Sequence, residues 1–180
     1  MDKTLKVAIL VGPDTGNEYE AIRQTLEYFG AQVMVFFIGR PKDFTDCLQG
    51  ASRYQGFDHY LLSFHGEDGA FCMPKLASDV YLPDEPKTNL NATDINTLCQ
   101  LNAALILCTG CTLGSKDMAK SFLDNGVHHY IGTPEYIEGN AMLLFIHRFY
   151  YEILSSNISL EEAAKISSNT DSETKLVRFY

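Results

Sequence analysis

The sequence predicts an α/β fold with three layers, a mostly parallel sheet lying between helices on both faces. Three observations predict it. Short apolar runs alternate regularly with segments of helical period along the chain. The first of those runs is continuously apolar, as a strand buried on both sides must be. The 180 residues contain no internal repeat or low-complexity stretch and suffice for one domain, residues 1–180, with a sizeable core.

Taken in order, KVAILV (6–11) is the first strand and breaks at GPDTGN. EYEAIRQTLEYFG follows as a helix, its apolar residues Tyr19, Ile22, Leu26 and Phe29 spaced three and four apart, with Gly30 where a C-terminal cap belongs. QVMVFFI (32–38) is the second strand, KDFTDCLQGASRY the second helix, and DHYLLSF (58–64) the third strand, ending at HGEDG. Residues 72–92 hold three prolines and little periodicity, which predicts one long loop or small hairpin of the kind that carries function. TDINTLCQ is a short helix capped by Thr93, and AALIL (103–107) the fourth strand. KDMAKSFLDNG is a helix stopped by Gly126, VHHYIGT the fifth strand, and GNAMLLFIHRFYYEILSS a long apolar helix. SLEEAAKISS opens with a capping box of Ser159 and Glu162.

Bulk properties narrow the function. The net charge is −9, with 8 basic against 13 acidic side chains in residues 1–90 and 6 against 10 in residues 91–180. Nothing in that distribution offers the basic face that nucleic acid or an anionic membrane would need. The five-residue apolar run near the start is too short for a signal-peptide core, and no stretch reaches the length of a bilayer span. Five cysteines, at 47, 72, 99, 108 and 111, form no disulfide framework; reduced thiols in a cytoplasm are the expectation.

Chemistry concentrates at two strand ends. One strand closes with His65–Gly66 and another with Cys108–Thr109–Gly110–Cys111. In a parallel sheet both belong to the carboxyl edge, where ligands and catalytic groups gather. A cysteine and a histidine are the minimal set for a thiolate nucleophile. Cys108 continues a buried run and reads as core, whereas Cys111, beyond Gly110, is expected to reach solvent. Cys47, Cys72 and Cys99 read as small apolar fillers, and His59, His128, His129 and His147 as structural or surface residues. The CxxC spacing also raises zinc, but no second CxxC exists and His128 and His129 would point to opposite faces of a strand. It raises dithiol redox chemistry too, yet thioredoxin-like chains carry that motif near their start. No metal and no cofactor is expected.

With His65 and Cys111 in place, the chain resembles the caspase-like (clan CD) superfamily of cysteine peptidases, and within it the CHAT group. LLSFHGEDG is similar to the strand and His-Gly step that carry the catalytic histidine. LILCTGCTLGS is similar to the CHAT strand that ends in a small-small-Cys step, which aligns Cys111 with the nucleophile. The segment from MAKSFLDNG to SLEEAAKIS resembles the CHAT tail, so that the likeness spans residues 58–167. The tail departs from the family in having GTPEY where a Trp-Pro step is usual.

The resemblance implies a caspase-like α/β/α sandwich and a cysteine endopeptidase acting on a protein substrate. Cys111 would attack the scissile carbonyl, His65 would serve as general acid and base, and the amides of Gly66 and Cys111 would hold the oxyanion. By family position the loops after the first and fifth strands line the pocket for the residue before the cut. Here they carry Asp14, Glu135 and Glu138 and no basic residue, so the expected preference is Arg or Lys. Control would come from a regulatory protein partner, homodimerisation or cleavage within 72–92. Two alternatives stand beside this reading. One is a catalytically silent caspase-like scaffold; the other is a thiol hydrolase similar to the DJ-1/PfpI family, with Cys108 as nucleophile and Glu18 as its partner.

Overall fold

The computed structural model describes residues 4–180. Its main sheet has six strands in the order β2-β1-β3-β6-β7-β8. The strands are β1 (Lys6–Val11), β2 (Gln32–Phe37), β3 (His59–Ser63), β6 (Leu105–Cys108), β7 (Tyr130–Gly132) and β8 (Arg178–Phe179). The first five run parallel, and β8 pairs antiparallel with β7. A two-stranded hairpin, β4 (Gly66–Glu67) and β5 (Ala70–Phe71), projects from the end of β3.

The sheet is covered on both faces because alternate strand residues bury in opposite directions. Ala8, Leu10, Tyr60, Leu62, Ile106 and Cys108 pack with α2 (Pro41–Leu48), α3 (Ala92–Leu98) and α4 (Lys116–Leu123). Val7, Ile9, Leu61, Leu105, Leu107 and Ile131 pack with α1 (Glu18–Tyr28), α5 (Gly139–Ser155) and α6 (Leu160–Ser168). Burial of Phe145, Ile146 and Phe149 from α5 contributes about 2 kcal/mol per side chain. Strand β1 lies between β2 and β3, with α1 crossing on one face and α2 on the other. The chain direction across the sheet therefore reverses at β1, and the carboxyl ends of β1 and β3 frame a crevice.

Several details differ from the sequence reading. Helix α3 is capped by Asn91, not Thr93: the Asn91 side chain accepts from the amides of Thr93 and Asp94, and the Asp94 carboxylate accepts from the Asn91 amide. Asn91 has the extended backbone a cap requires, whereas Thr93 already lies inside the helix. The second helix ends at Leu48, where Gly50 adopts φ +71°, and Ser52–Tyr54 form a separate 3₁₀ turn. The fifth parallel strand is trimmed to three residues, and Ala103 and Val127 meet only as an isolated bridge. Neither β8 nor the β4–β5 hairpin has a clear sequence signal, since each strand is two residues long.

Residues 72–92 do form a long loop, pinned at two places. Leu90 bridges Phe71, and the Glu85 carboxylate accepts from Arg40 Nε at 2.8 Å, Arg40 Nη2 at 2.6 Å and the amides of Lys42 and Leu82. The Glu85 side chain is fully buried. The Arg40 guanidinium and two amides hold its carboxyl at about 2, below its ordinary value of 4.5. Among the described residues no helix is long and apolar enough to cross a membrane.

Because the folded value lies below the unfolded one, Glu85 stabilises the fold above about pH 4.5, and that contribution disappears as pH falls toward 2. Thermal melts between pH 6 and pH 3 should thus fall more steeply for the native chain than for Glu85→Gln. At neutral pH Arg40→Ala should cost about 3 kcal/mol in denaturant unfolding, because it strands a buried carboxylate.

Candidate active site

Parallel pairing places the two chemically loaded strand ends side by side. Leu62 of β3 is level with Cys108 of β6, and the Thr109 amide donates to the Leu62 carbonyl at 3.0 Å. Beyond the last paired residues the two segments stay close, with Gly110 against Phe64 and Gly66 against Cys111.

The two segments approach closely because glycines lie between them. A Cβ built on Gly66 would fall 2.0 Å from the Cys111 carbonyl oxygen. One on Gly110 would fall 2.8 Å from the Phe64 oxygen and 3.1 Å from the Gly66 nitrogen. Any side chain at either position would force the strands apart.

The imidazole of His65 is exposed, and its Nε2 lies 3.0 Å from the backbone carbonyl oxygen of Asp14. A carbonyl only accepts, so Nε2 carries the hydrogen and the neutral ring keeps its lone pair on Nδ1. Asp14 itself sits in the left-handed region at φ +59°, in the turn after β1. Cys111 is half-buried, with Sγ 3.8 Å from the Ile137 carbonyl oxygen in the loop after β7. No hydrogen bond joins Cys111 to His65 in this structure. Catalytic hydrogen bonds often close only once a substrate is bound.

The turn that presents Cys111 is anchored on several sides. Thr112 has φ +62°, a conformation a β-branched residue holds only when its surroundings impose it. Its amide donates to the Glu135 carbonyl, and its hydroxyl accepts from the Gly69 amide at 3.0 Å. Further along, the Tyr130 hydroxyl donates to the Leu113 carbonyl, the Tyr180 hydroxyl to the Gly114 carbonyl, and the Gly114 amide to the Thr133 carbonyl. The Cys111 amide donates to no group among the described residues, which leaves it available to a ligand oxygen.

Asp14, Glu135 and Glu138 occupy exposed turns around this centre. What the turns contribute directly is backbone: the Asp14 carbonyl to His65, the Glu135 carbonyl to Thr112, and the Ile137 carbonyl beside Cys111. Sequence reasoning had no means of finding the Asp14 carbonyl, since any residue type supplies one. A cavity of about 560 Å³ adjoins His65, lined among others by Pro13, Asp14, Glu67, Cys72 and Lys75. Cys72 therefore borders the site and is only half-buried, not a core filler.

The second thiol of the pair has the opposite environment. Cys108 is fully buried on the α2–α4 face, and burial pushes its thiol up to about 12. Burial disfavours its thiolate and keeps its sulfur from solvent, in contrast to half-buried Cys111. Glu18, its partner in the alternative reading, instead accepts from the hydroxyls of Ser63 at 2.5 Å and Thr109 at 2.8 Å. Of the other histidines, His59 is buried against the Tyr150 hydroxyl, and that burial lowers it to about 4. His129 stacks on Phe179, and His147 pairs with Thr25.

No protein-family model matches the chain, and no curated protein does. Solved structures similar in fold include two cysteine proteases. One is a secreted C11 cysteine protease from Bacteroides thetaiotaomicron, in complex with an irreversible peptide inhibitor. It is 12% identical with a TM-score of 0.58, and the match covers 98% of this chain and 65% of that one. The other is the Arg-specific cysteine proteinase gingipain R, 12% identical with a TM-score of 0.60, over 96% of this chain and 45% of that one. The chain thus spans about two thirds and less than half of these two proteins. At such identity the likeness establishes the architecture, a caspase-like α/β/α sandwich shared with cysteine proteases.

Iodoacetamide applied to the native protein at pH 8 should modify Cys111 and leave Cys47, Cys99 and Cys108 at least about tenfold slower, as peptide mass spectrometry would resolve. Nitrogen chemical shifts of the His65 ring in its neutral form should report the hydrogen on Nε2; an Nδ1-protonated ring would contradict the Asp14 contact.

Proposed function

We propose that this chain is a cysteine endopeptidase with His65 and Cys111 as its dyad. One observation carries the reading: a half-buried thiol and an exposed, backbone-oriented imidazole lie on two segments that run on from adjacent parallel strands and approach closely at Gly66 and Cys111. The cysteine-protease fold supports it.

In the proposed reaction the Cys111 thiol gives its proton to His65 Nδ1, and the sulfur attacks the scissile carbonyl carbon. The amides of Gly66 and Cys111 receive the developing oxyanion. His65 then protonates the leaving amine as the C–N bond breaks, and a water molecule activated by the same nitrogen hydrolyses the thioester. The acidic rim of Asp14, Glu135 and Glu138 favours substrates that carry positive charge near the cut. The likeness to CHAT domains and a cytoplasmic setting rest on the sequence motifs and the free cysteines respectively. Regulation by a partner protein or by cleavage in 72–92 fits the position of that loop beside His65.

A catalytically silent scaffold is the second reading, favoured by the absence of a Cys111–His65 hydrogen bond. Cleavage of a fluorogenic peptide library decides between them. Cys111→Ala should abolish turnover and His65→Ala should reduce it about 10³-fold, with Cys108→Ala close to the native rate. Turnover that survives Cys111→Ala would overturn the assignment.

A further inference from the structure

Strand β2 forms one edge of the main sheet, and its free side is unprotected. It pairs with β1 in unbroken register, from Lys6 opposite Gln32 to Val11 opposite Phe37, with no bulge. Its sequence QVMVFF holds no charge and no proline, and Met34 and Phe37 are 52% and 64% exposed. Edges that must stay single are normally shortened, charged or broken by proline. The opposite edge is of that kind: β8 is two residues long and one of them is Arg178.

The backbone of β2 specifies what fits there. The amides of Gln32 and Ile38 donate to the carbonyls of Leu5 and Val11. Alternate residues of a strand bond to the same neighbour, so Met34 and Phe36 also face β1. Val33, Val35 and Phe37 therefore turn their N–H and C=O groups outward. Such a row is satisfied by an extended chain, and this row is symmetric about Val35. A second β2 running antiparallel sets Val35 opposite Val35 and Val33 opposite Phe37, each pair exchanging two hydrogen bonds. Sliding it by two residues leaves an outward residue unpaired on each strand. In the symmetric register Met34 lies opposite Phe36, and every cross-strand pair within residues 33–37 is apolar.

We propose that the β2 edge is the interface of a homodimer, in which a second copy of this chain continues the sheet across a two-fold axis at Val35. Helix α1 covers β2 on one face, with the Tyr19 ring edge-on to Phe37 at 5.2 Å. One strand spacing of about 4.8 Å brings the two copies of α1 to about 10 Å, a distance at which helices pack. The cavity of about 360 Å³ between α1 and β2, walled by Tyr19, Val35 and Phe37, then receives Val33 and Val35 of the second copy. Strand and helix together bury on the order of 600–800 Å² per copy, enough for a specific dimer of modest affinity. The chain's net charge of −9 is kept off this edge: β2 is neutral, and Arg23 stands between Glu20 and Glu27 on the stripe of α1 beside it.

Sedimentation velocity of the full chain from about 1 to 300 μM, with amide hydrogen exchange at both extremes, provides the test. The expected result is a concentration-dependent dimer whose Val33, Val35 and Phe37 amides exchange at least about tenfold more slowly than in the monomer. The Met34 and Phe36 amides, already bonded to β1, should change little. Met34→Lys, at an exposed position, should weaken association at least about tenfold. Val35→Pro removes an outward N–H without removing a bond to β1 and should abolish the dimer. Met34→Lys serves alone where circular dichroism shows Val35→Pro to be unfolded. A monomer at every concentration overturns the proposal, as does a dimer that Met34→Lys leaves unchanged. Protection of the outward amides only on adding an extended apolar peptide also overturns it and assigns the edge to a foreign strand. No step involves peptide cleavage, so the outcome is independent of the peptidase reading.

Discussion

The site depends on one constraint, the close approach of two backbone segments at the carboxyl edge of the sheet. Pairing of β3 with β6 sets their register, and Gly66 and Gly110 let the chains run on past the sheet at a separation that excludes any side chain. Every functional relation follows from that contact. Gly66 comes against Cys111, the Ser63 and Thr109 hydroxyls converge on Glu18, and the Cys111 amide is left without a backbone partner among the described residues. A methyl group at either glycine would meet backbone as well as the buried Leu113 side chain, so moving a side chain alone could not absorb the distortion.

Orientation is supplied from the flanks by backbone groups. The turn after β1 contributes the Asp14 carbonyl, which selects the tautomer of His65. The loop after β7 contributes the Glu135 carbonyl to the strained Thr112, and the hairpin contributes the Gly69 amide to its hydroxyl. A left-handed threonine costs about 1–3 kcal/mol, and these hydrogen bonds hold it in place. Cys111 is thus presented by a turn that four neighbouring elements stabilise, while the other thiol, three residues earlier, is buried in the core. Burial alone distinguishes the two cysteines of the CxxC step.

Much of this was legible in the chain. Continuous apolar runs such as KVAILV and LILC announced strands buried on both faces, whereas the close backbone approach at Gly66 and Gly110 emerges only from the structure. Caps were less secure: Asn91 and Thr93 are both good capping residues, and only the backbone conformation separates them. The two-residue strands β4, β5 and β8 exist because tertiary pairing holds them, and no local pattern encodes that. Glu18 was visible only as the partner of Cys108 in the alternative reading, whereas it accepts from Ser63 and Thr109, because sequence distance says nothing about which face of the sheet a helix start overlies. Counting two residues back from His65 and Cys111 would have found Ser63 and Thr109, the hydroxyls that reveal its position.

The most direct measurement is a crystal structure of the chain reacted with a peptidyl electrophile. The expected result is a covalent bond to Cys111 Sγ, the ligand oxygen within hydrogen-bonding distance of the Cys111 and Gly66 amides, and His65 Nε2 still donating to the Asp14 carbonyl. An adduct on Cys72 or Cys108, or a His65 ring turned away with its Asp14 contact broken, would contradict it.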